Sequence, residues 1–230
     1  MSRMKGALIG LYARDSKRIV ELAGEATNLG YSIVAVMANT AGSLKVLREA
    51  LPESKHIKLG AHIACVEDWR TEIGEARRYA DIIVAEPKSL QSCRAATSHR
   101  GIDLIALRVA ERKLYFDDVS ARQAQERGAA VIVYVSDLWS KGTRELQYGL
   151  RVLKTELKIA STRRVPVLLG AEVRTRWDLR SPRVLMALAT VMLNLDPPMA
   201  ANAITVFPRV MLERGRELAL LKVRGVRAAG

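Results

Sequence analysis

Seven short apolar runs recur along this chain, each followed by a stretch of helical character, and that alternation narrows the possible folds sharply. The runs lie at residues 6–12, 31–38, 56–65, 81–85, 103–108, 130–135 and 165–171. Several are continuous rather than alternating, as in Y-S-I-V-A-V-M-A, D-I-I-V-A and A-V-I-V-Y-V. A strand that is apolar on both faces belongs in a parallel sheet covered on both sides. The intervening segments, residues 14–29, 43–51, 68–79, 88–98, 117–127 and 144–161, supply the crossover helices. Gly30 and Gly128 stand where helix C-termini favour glycine. Seven such units fit a (β/α) barrel or a doubly wound open sheet, and their number and regularity lean to the barrel. A chain of 230 residues, 49% hydrophobic and without an evident linker, suits a single domain over residues 1–230.

The charge is unevenly placed. The formal net charge is +13. Residues 151–230 hold 15 Lys and Arg against 6 Asp and Glu, whereas residues 1–150 hold 22 against 18. Solubility alone does not ask for such concentration, so the asymmetry points to a polyanionic partner, a nucleic acid or an anionic membrane surface. Its densest part follows the seventh run: V-P-V-L-L-G-A-E-V-R-T-R-W-D-L-R-S-P-R. This reads as a buried strand, a loop carrying Arg174, Arg176, Trp177, Asp178, Arg180 and Arg183, and a helix start with Ser181 as N-cap and Pro182 in the first turn. Taken singly, each arginine could pair with Asp178, Glu172 or a carbonyl. Taken together, they form a surface whose planar forks suit phosphate oxygens. Lys113 and Lys141, in the loops after the fifth and sixth runs, and Arg209 near the C-terminus are further candidates. Glu111, Asp117, Asp118 and Asp137 offset much of the charge between residues 108 and 144. The helix at residues 182–193 is apolar nearly all round and calls for burial against the sheet or a partner. Asp196 is read as the cap of the next short helix and Pro208 as the start of the last. Residues 223–230, V-R-G-V-R-A-A-G, read as a flexible basic tail.

The chain contains no self-sufficient catalytic motif. Its three histidines, His56, His62 and His99, form no H-x-H or H-E-x-x-H pattern, and there is no P-loop, G-x-G-x-x-G or G-x-S-x-G. His56 and His62 read as polar residues at the edges of a strand, and the carboxylate pairs Glu67-Asp68 and Asp117-Asp118 as helix caps. No catalytic and no metal-ligating residue is assigned. Cys65 and Cys93 fall in no C-x-x-C pair and read as reduced core residues. The first residues lack the apolar run of a signal peptide, and no run approaches a membrane span, so a soluble cytoplasmic protein is expected. The chain holds only four Gln and four Asn, as heat-adapted proteins often do.

The stretch E-V-R-T-R-W-D-L-R-S-P-R, the apolar helix after it, and D-P-P-M-A-A-N-A-I-T-V-F-P-R-V-M-L-E-R resemble the archaeal ribonuclease P protein component 3 family. Its members are counterparts of the thirty-kilodalton subunit of the eukaryotic enzyme. The likeness runs from about Gly101 to Arg216 and is less distinct over the first hundred residues. It implies a TIM-barrel-like fold related to the polymerase-and-histidinol-phosphatase (PHP) metal hydrolases, although the clustered histidines and carboxylates those enzymes need are not evident in the sequence. It also implies a subunit of the ribonucleoprotein that removes 5′ leaders from precursor tRNA, in which the RNA carries out cleavage with bound Mg2+. The isolated chain is then non-catalytic and binds no cofactor. The implied partners are the ribonuclease P RNA, protein component 2, the other protein subunits and, indirectly, precursor tRNA, with no membrane. Arg174, Arg176, Arg180 and Arg183, then Lys113, Lys141 and Arg209, are the expected phosphate contacts, and Trp177 either stacks on a base or packs against its neighbouring helix. Two other readings stand beside this one. The first is a stand-alone metal-dependent phosphoesterase with barrel fold, acting on a small phosphorylated substrate. The second is a protein-binding barrel whose arginines meet partner carboxylates.

Overall fold

The structure is a computed structural model that describes residues 5–13, 15–51, 54–109, 113–140, 142–223 and 226–227. Seven parallel strands lie side by side in chain order: β1 Gly6–Leu11, β2 Tyr31–Ala38, β3 Ile57–Ala64, β4 Ile82–Glu86, β5 Leu104–Leu107, β6 Ala130–Tyr134 and β7 Val167–Gly170. Helices α1 Ser16–Asn28, α2 Ala41–Ala50, α3 Trp69–Ala76, α4 Leu90–Ser98 and α5 Asp118–Arg127 connect successive strands; a short turn α6 Asp137–Ser140 and the long α7 Thr143–Thr162 make the last crossover. Local chemistry explains many boundaries. Asp15, Thr40, Ser89 and Asp117 each accept a backbone N–H at a helix start, and Gly128 closes α5 in the left-handed conformation. Asp68 behaves otherwise than expected. It stands at the N-cap position of α3 with φ 55°, and its side chain caps nothing.

The sheet closes on itself. Tyr12 N donates to Val173 O at 2.8 Å, Val173 N to Gly10 O at 2.8 Å, and Ala171 N to Ile9 O at 3.2 Å, which joins β1 to the chain leaving β7. Two glycines permit this approach. Gly10 has φ 125°, and a side chain there would strike the Ala171 carbonyl; a Cβ on Gly170 would lie 2.7 Å from Ile9 O. Lower down, the two strands diverge and another segment fills the gap. Ala7 N donates to Ile204 O at 2.8 Å, and Leu169 N to Ala203 O at 3.0 Å. Those carbonyls belong to the turn after α9 Pro197–Asn202, so backbone donors at the seam find partners.

Lumen-facing residues, every second one along each strand, form a core of Ile9, Ala35, Met37, Ile82, Val84, Leu104, Ala106, Ala130, Ile132 and Leu168. Met211 and Leu212, from α10 Val206–Leu220, join it and stopper the end where the strands begin. The last helix thus starts two residues before Pro208. Helix α8, Pro182–Leu193, begins with Ser181 Oγ accepting from Val184 N, as its sequence requires, but it is not buried all round. Pro182, Leu185, Ala189 and Leu193 face the barrel while Val184, Ala187 and Val191 face outward. A helix in an outer ring has the sheet on one side only, whatever its composition. Asp196 precedes α9, yet its side chain makes no capping bond. The expected tail contains a small antiparallel pairing of Leu221–Val223 with Val226–Arg227; residues 224, 225 and 228–230 lie outside the described residues. No helix among the described residues is long and apolar enough to cross a membrane.

Candidate nucleic-acid interface at the barrel mouth

At the ends where the strands leave the barrel, the lumen turns from apolar to polar. Further along the lumen-facing register of β3 to β7, His62, Glu86, Arg108, Tyr134 and Glu172 come together, with Tyr12 and Asp137 beside them. His62 is therefore not an edge residue. The Tyr12 hydroxyl bonds His62 Nδ1, His62 Nε2 lies 2.9 Å from Glu86 Oε2, and Lys88 Nζ pairs with the other Glu86 oxygen. The His62 ring stacks on Tyr134 at 5.4 Å. His56, by contrast, lies before β3 at the opposite end, its Nδ1 3.0 Å from Ser32 O.

Arg108 holds the centre of the mouth. Its Nη1 donates to Glu172 Oε1 at 2.6 Å and its Nη2 to Asp137 Oδ1 at 3.0 Å, while Asp137 Oδ2 accepts from Val109 N at 3.1 Å. Burial works against the guanidinium charge, but Asp137 and Glu172 outweigh it and hold Arg108 more firmly protonated than usual. Burial also raises the Glu86 carboxyl, yet His62 and Lys88 outweigh that effect and hold it at about 2. Burial, with Tyr134 and Glu172, pushes the Tyr12 hydroxyl well above its ordinary value, and burial raises Tyr134 as well. The histidine and carboxylates scattered in the sequence thus do converge, but each carboxylate already has a cationic or imidazole partner. Among the described residues, no group of three or more His, Cys, Asp or Glu is placed to hold a metal ion. Cys65 and Cys93 are buried free thiols, and burial pushes Cys65 up to about 12 and raises Cys93 too. Neither is poised as a nucleophile.

Above this closed network stands the arginine loop, and its order comes from Asp178. That carboxylate accepts from Arg174 N at 3.1 Å, Thr175 N at 2.8 Å and Thr175 Oγ1 at 3.0 Å, closing a 3-10 turn at Arg176–Asp178. Burial raises Asp178, but these bonds and Arg180 outweigh it and keep its carboxyl below the ordinary range. Asp178 thus orders the loop backbone, and its single charge offsets only part of the loop's four arginines. Arg174 comes only within 3.9 Å of Glu172 and lies 5.1 Å over the Tyr12 ring. Arg176 lies 4.5 Å over Trp177, whose side chain is 72% exposed. Arg180 donates to the carbonyls of Trp177 and Leu179 at 2.6 and 2.8 Å and sits 5.2 Å from the Trp139 ring. Arg176 and Arg183 have no carboxylate partner among the described residues.

The remaining expected contacts fall elsewhere. Lys113 is exposed beyond β5, near the mouth, whereas Lys141 lies outside the described residues. Arg209 is at the opposite end of the barrel, its Nη2 bonded to Ser32 Oγ at 2.6 Å and near Lys5 O at 3.2 Å, so it does not belong to the loop's surface. Trp139 is the residue that sequence reading missed. It is one of three exposed aromatics among the described residues, less open than Tyr148 and Trp177, and all three fall in the β6 to α8 sector. Exposed aromatics interleaved with unneutralised guanidiniums form a surface that can stack on bases and meet phosphates.

The fold and the mouth together define a TIM-barrel-like α/β protein whose acidic strand ends are occupied by its own cations and whose rim is basic and aromatic. The model of the family described as RNase P subunit p30 matches residues 5–219, and the chain belongs to that family. The match takes in the first hundred residues, beyond the stretch on which the resemblance was most distinct. Ribonuclease P protein component 3 of Methanosarcina mazei is 27% identical over 203 residues, covering 86% of this chain and 84% of the relative. The corresponding protein of Methanosarcina barkeri is 28% identical over 201 residues, covering 85% and 83%. In shape, the chain is similar to one in a cryo-EM structure of archaeal ribonuclease P with mature tRNA, with a TM-score of 0.70, 18% identity, and 96% and 98% of the two chains covered. It also shares its fold with the Aspergillus niger ochratoxinase structure at a TM-score of 0.56 and 13% identity, covering 91% of this chain and 71% of that one.

Proposed function

We infer that this chain is a protein subunit of ribonuclease P and contributes to tRNA processing by binding. Its role is to support removal of 5′ leaders from precursor tRNA, with the cleavage chemistry, and the Mg2+ it uses, residing in the RNA. The observation that carries this reading is the contrast at the mouth. The carboxylates there are held by cations, while Arg174, Arg176 and Arg183 on the ordered rim stay largely unneutralised beside Trp177 and Trp139. Membership of the p30 family supports the same assignment. The partners are the ribonuclease P RNA, protein component 2 and the other protein subunits, with precursor tRNA engaged through the assembled particle. The rim meets RNA phosphates, and Trp177 stacks on an unpaired base.

Reconstitution tests the assignment. Precursor-tRNA cleavage at modest Mg2+ is measured with the RNA and the other protein subunits, with this chain omitted and then added back. Loss of leader removal on omission, restored on addition, is expected; equal cleavage without the chain contradicts it. For the rim, replacing Arg174 and Arg176 by alanine is expected to weaken RNA binding and flatten the dependence of log K on log salt by about 1 to 2. An unchanged slope removes the loop from the RNA surface. Metal-dependent turnover of a phosphorylated small molecule by the purified chain favours the phosphoesterase reading instead.

A further inference from the structure

The end of the barrel opposite the rim holds a second basic surface that the proposed role leaves unused. A hollow of about 350 Å³ opens beside the start of β3, between the end of α2 and helix α10. Arg48, Lys55, Lys58 and Arg216 line it, and among the described residues its acidic lining residue is Asp81. Asp81 does not saturate these cations. Its Oδ2 accepts from Leu59 N at 2.9 Å with Arg48 Nη2 3.5 Å away, and its Oδ1 lies 3.9 Å from Arg216 Nε, so both arginines are beyond good hydrogen-bond reach. Arg48 is held in place from the other side, its Nε and Nη2 bonded to Tyr79 O at 3.2 and 2.6 Å. Its Nη1 has no partner among the described residues. Lys58 is held too, with Nζ bonded to Ser54 O at 2.8 Å. Lys55 and Arg216 are exposed.

Four cations in a concavity, Arg48 and Lys58 held in place and one carboxylate among the described lining residues too few to offset them, suit an incoming group with several anionic oxygens. We propose that this hollow is a second phosphate-binding site for RNA, so that the barrel contacts RNA at both ends and bridges two RNA segments. The inference rests on the ribonuclease P reading for the identity of the polyanion. A duplex or single strand carries phosphates in series, which matches a hollow whose cations come from separate elements, α2, the segment before β3, and α10.

The test uses the complete set of protein subunits with fluorescently labelled ribonuclease P RNA as the probe, over a series of salt concentrations. The double substitution Lys55→Ala with Arg216→Ala removes the two exposed cations and leaves the bonds of Arg48 and Lys58 intact. It is expected to weaken RNA binding roughly tenfold and to flatten the salt slope by about 1 to 2. Its effect is expected to multiply with that of Arg174→Ala and Arg176→Ala, since the two sites share no partner. The exchange Lys55→Arg with Arg216→Lys, which keeps both charges, is expected to retain the slope. If the rim substitutions flatten the slope and the hollow substitutions do not, the hollow is not an RNA site while the subunit reading stands. If neither does, neither surface is an RNA site, which overturns the proposal, and the reconstitution decides the subunit reading separately. A loss of association with the other protein subunits at unchanged RNA slope assigns the hollow to a protein partner and overturns the proposal.

Discussion

The two ends of the barrel solve the same electrostatic problem with opposite signs. At the mouth, one cation, Arg108, is clamped by two carboxylates, Asp137 and Glu172. At the closed end, one carboxylate, Asp103, is clamped by two cations: Arg77 at 2.6 Å and Arg214 at 3.2 Å, and it also accepts from Ile83 N at 2.8 Å. The difference lies in depth and in what is tied together. Asp103 is fully buried, and its partners come from the end of α3 and from α10, so this cluster fastens the stopper helix to the sheet. Arg108 stays partly accessible under the rim, and its cluster occupies the carboxylates a metal centre would require. One network holds the fold together; the other closes a mouth.

That comparison sets the expected size of each perturbation. Asp103→Ala leaves Arg77 and Arg214, both partly buried, without their anion and empties a fully buried site, and a loss of about 3–5 kcal/mol in urea unfolding is expected. A loss below about 1 kcal/mol contradicts a fastening role. For Arg108→Ala the expected loss is smaller, about 2–3 kcal/mol, because Glu172 can turn toward water. Equal losses at both sites erase the distinction between the ends.

Acid titration of stability reads the mouth through Glu86 when the chain is compared with its Glu86→Gln variant, which cancels the depressed carboxylates elsewhere, Asp117, Asp118 and Asp178. Glu86 is depressed from 4.5 to about 2 in the folded chain, so its contribution is present above pH 4.5 and disappears as the pH falls toward 2. The term is about 3 kcal/mol, and Glu86→Gln is expected to remove that part of the pH dependence. An identical acid profile in the variant shows that the His62–Glu86 contact carries no such linkage. The smallest effect on stability is expected at the rim. Trp177→Ala changes unfolding by no more than about 0.5 kcal/mol, yet costs about 1–3 kcal/mol of RNA affinity if the indole stacks on a base. A variant that loses stability but binds RNA normally makes Trp177 a packing residue.

Much of this molecule could be read along the chain. Seven strand positions, the crossover helices, the Ser181–Pro182 start of α8 and the cap at Asp117 follow from apolar run length and from side chains that reach only three residues away. The arginine loop was legible for the same reason: Arg174, Trp177 and Arg183 are near neighbours in sequence. The mouth was not. His62, Glu86, Arg108 and Glu172 come from four different strand ends, and each looks ordinary alone. Their shared signal was parity, a polar residue closing each lumen-facing register, and it acquires meaning only once the barrel is known to close. Arg209 misled in the other direction, since proximity in sequence to the basic C-terminal half says nothing about which end of a barrel a helix covers.

The sequence by itself therefore determined the repeating strand and helix units, the basic bias of the last third, and the chemistry of the rim, because those depend on local periodicity and composition. Only the tertiary structure decided that the sheet closes through Gly10 and Gly170, that α10 stoppers one end, and that cations take up the carboxylates at the other. Those outcomes depend on which strand ends become neighbours, and pairing energies between residues a hundred positions apart are settled by packing rather than by any local pattern.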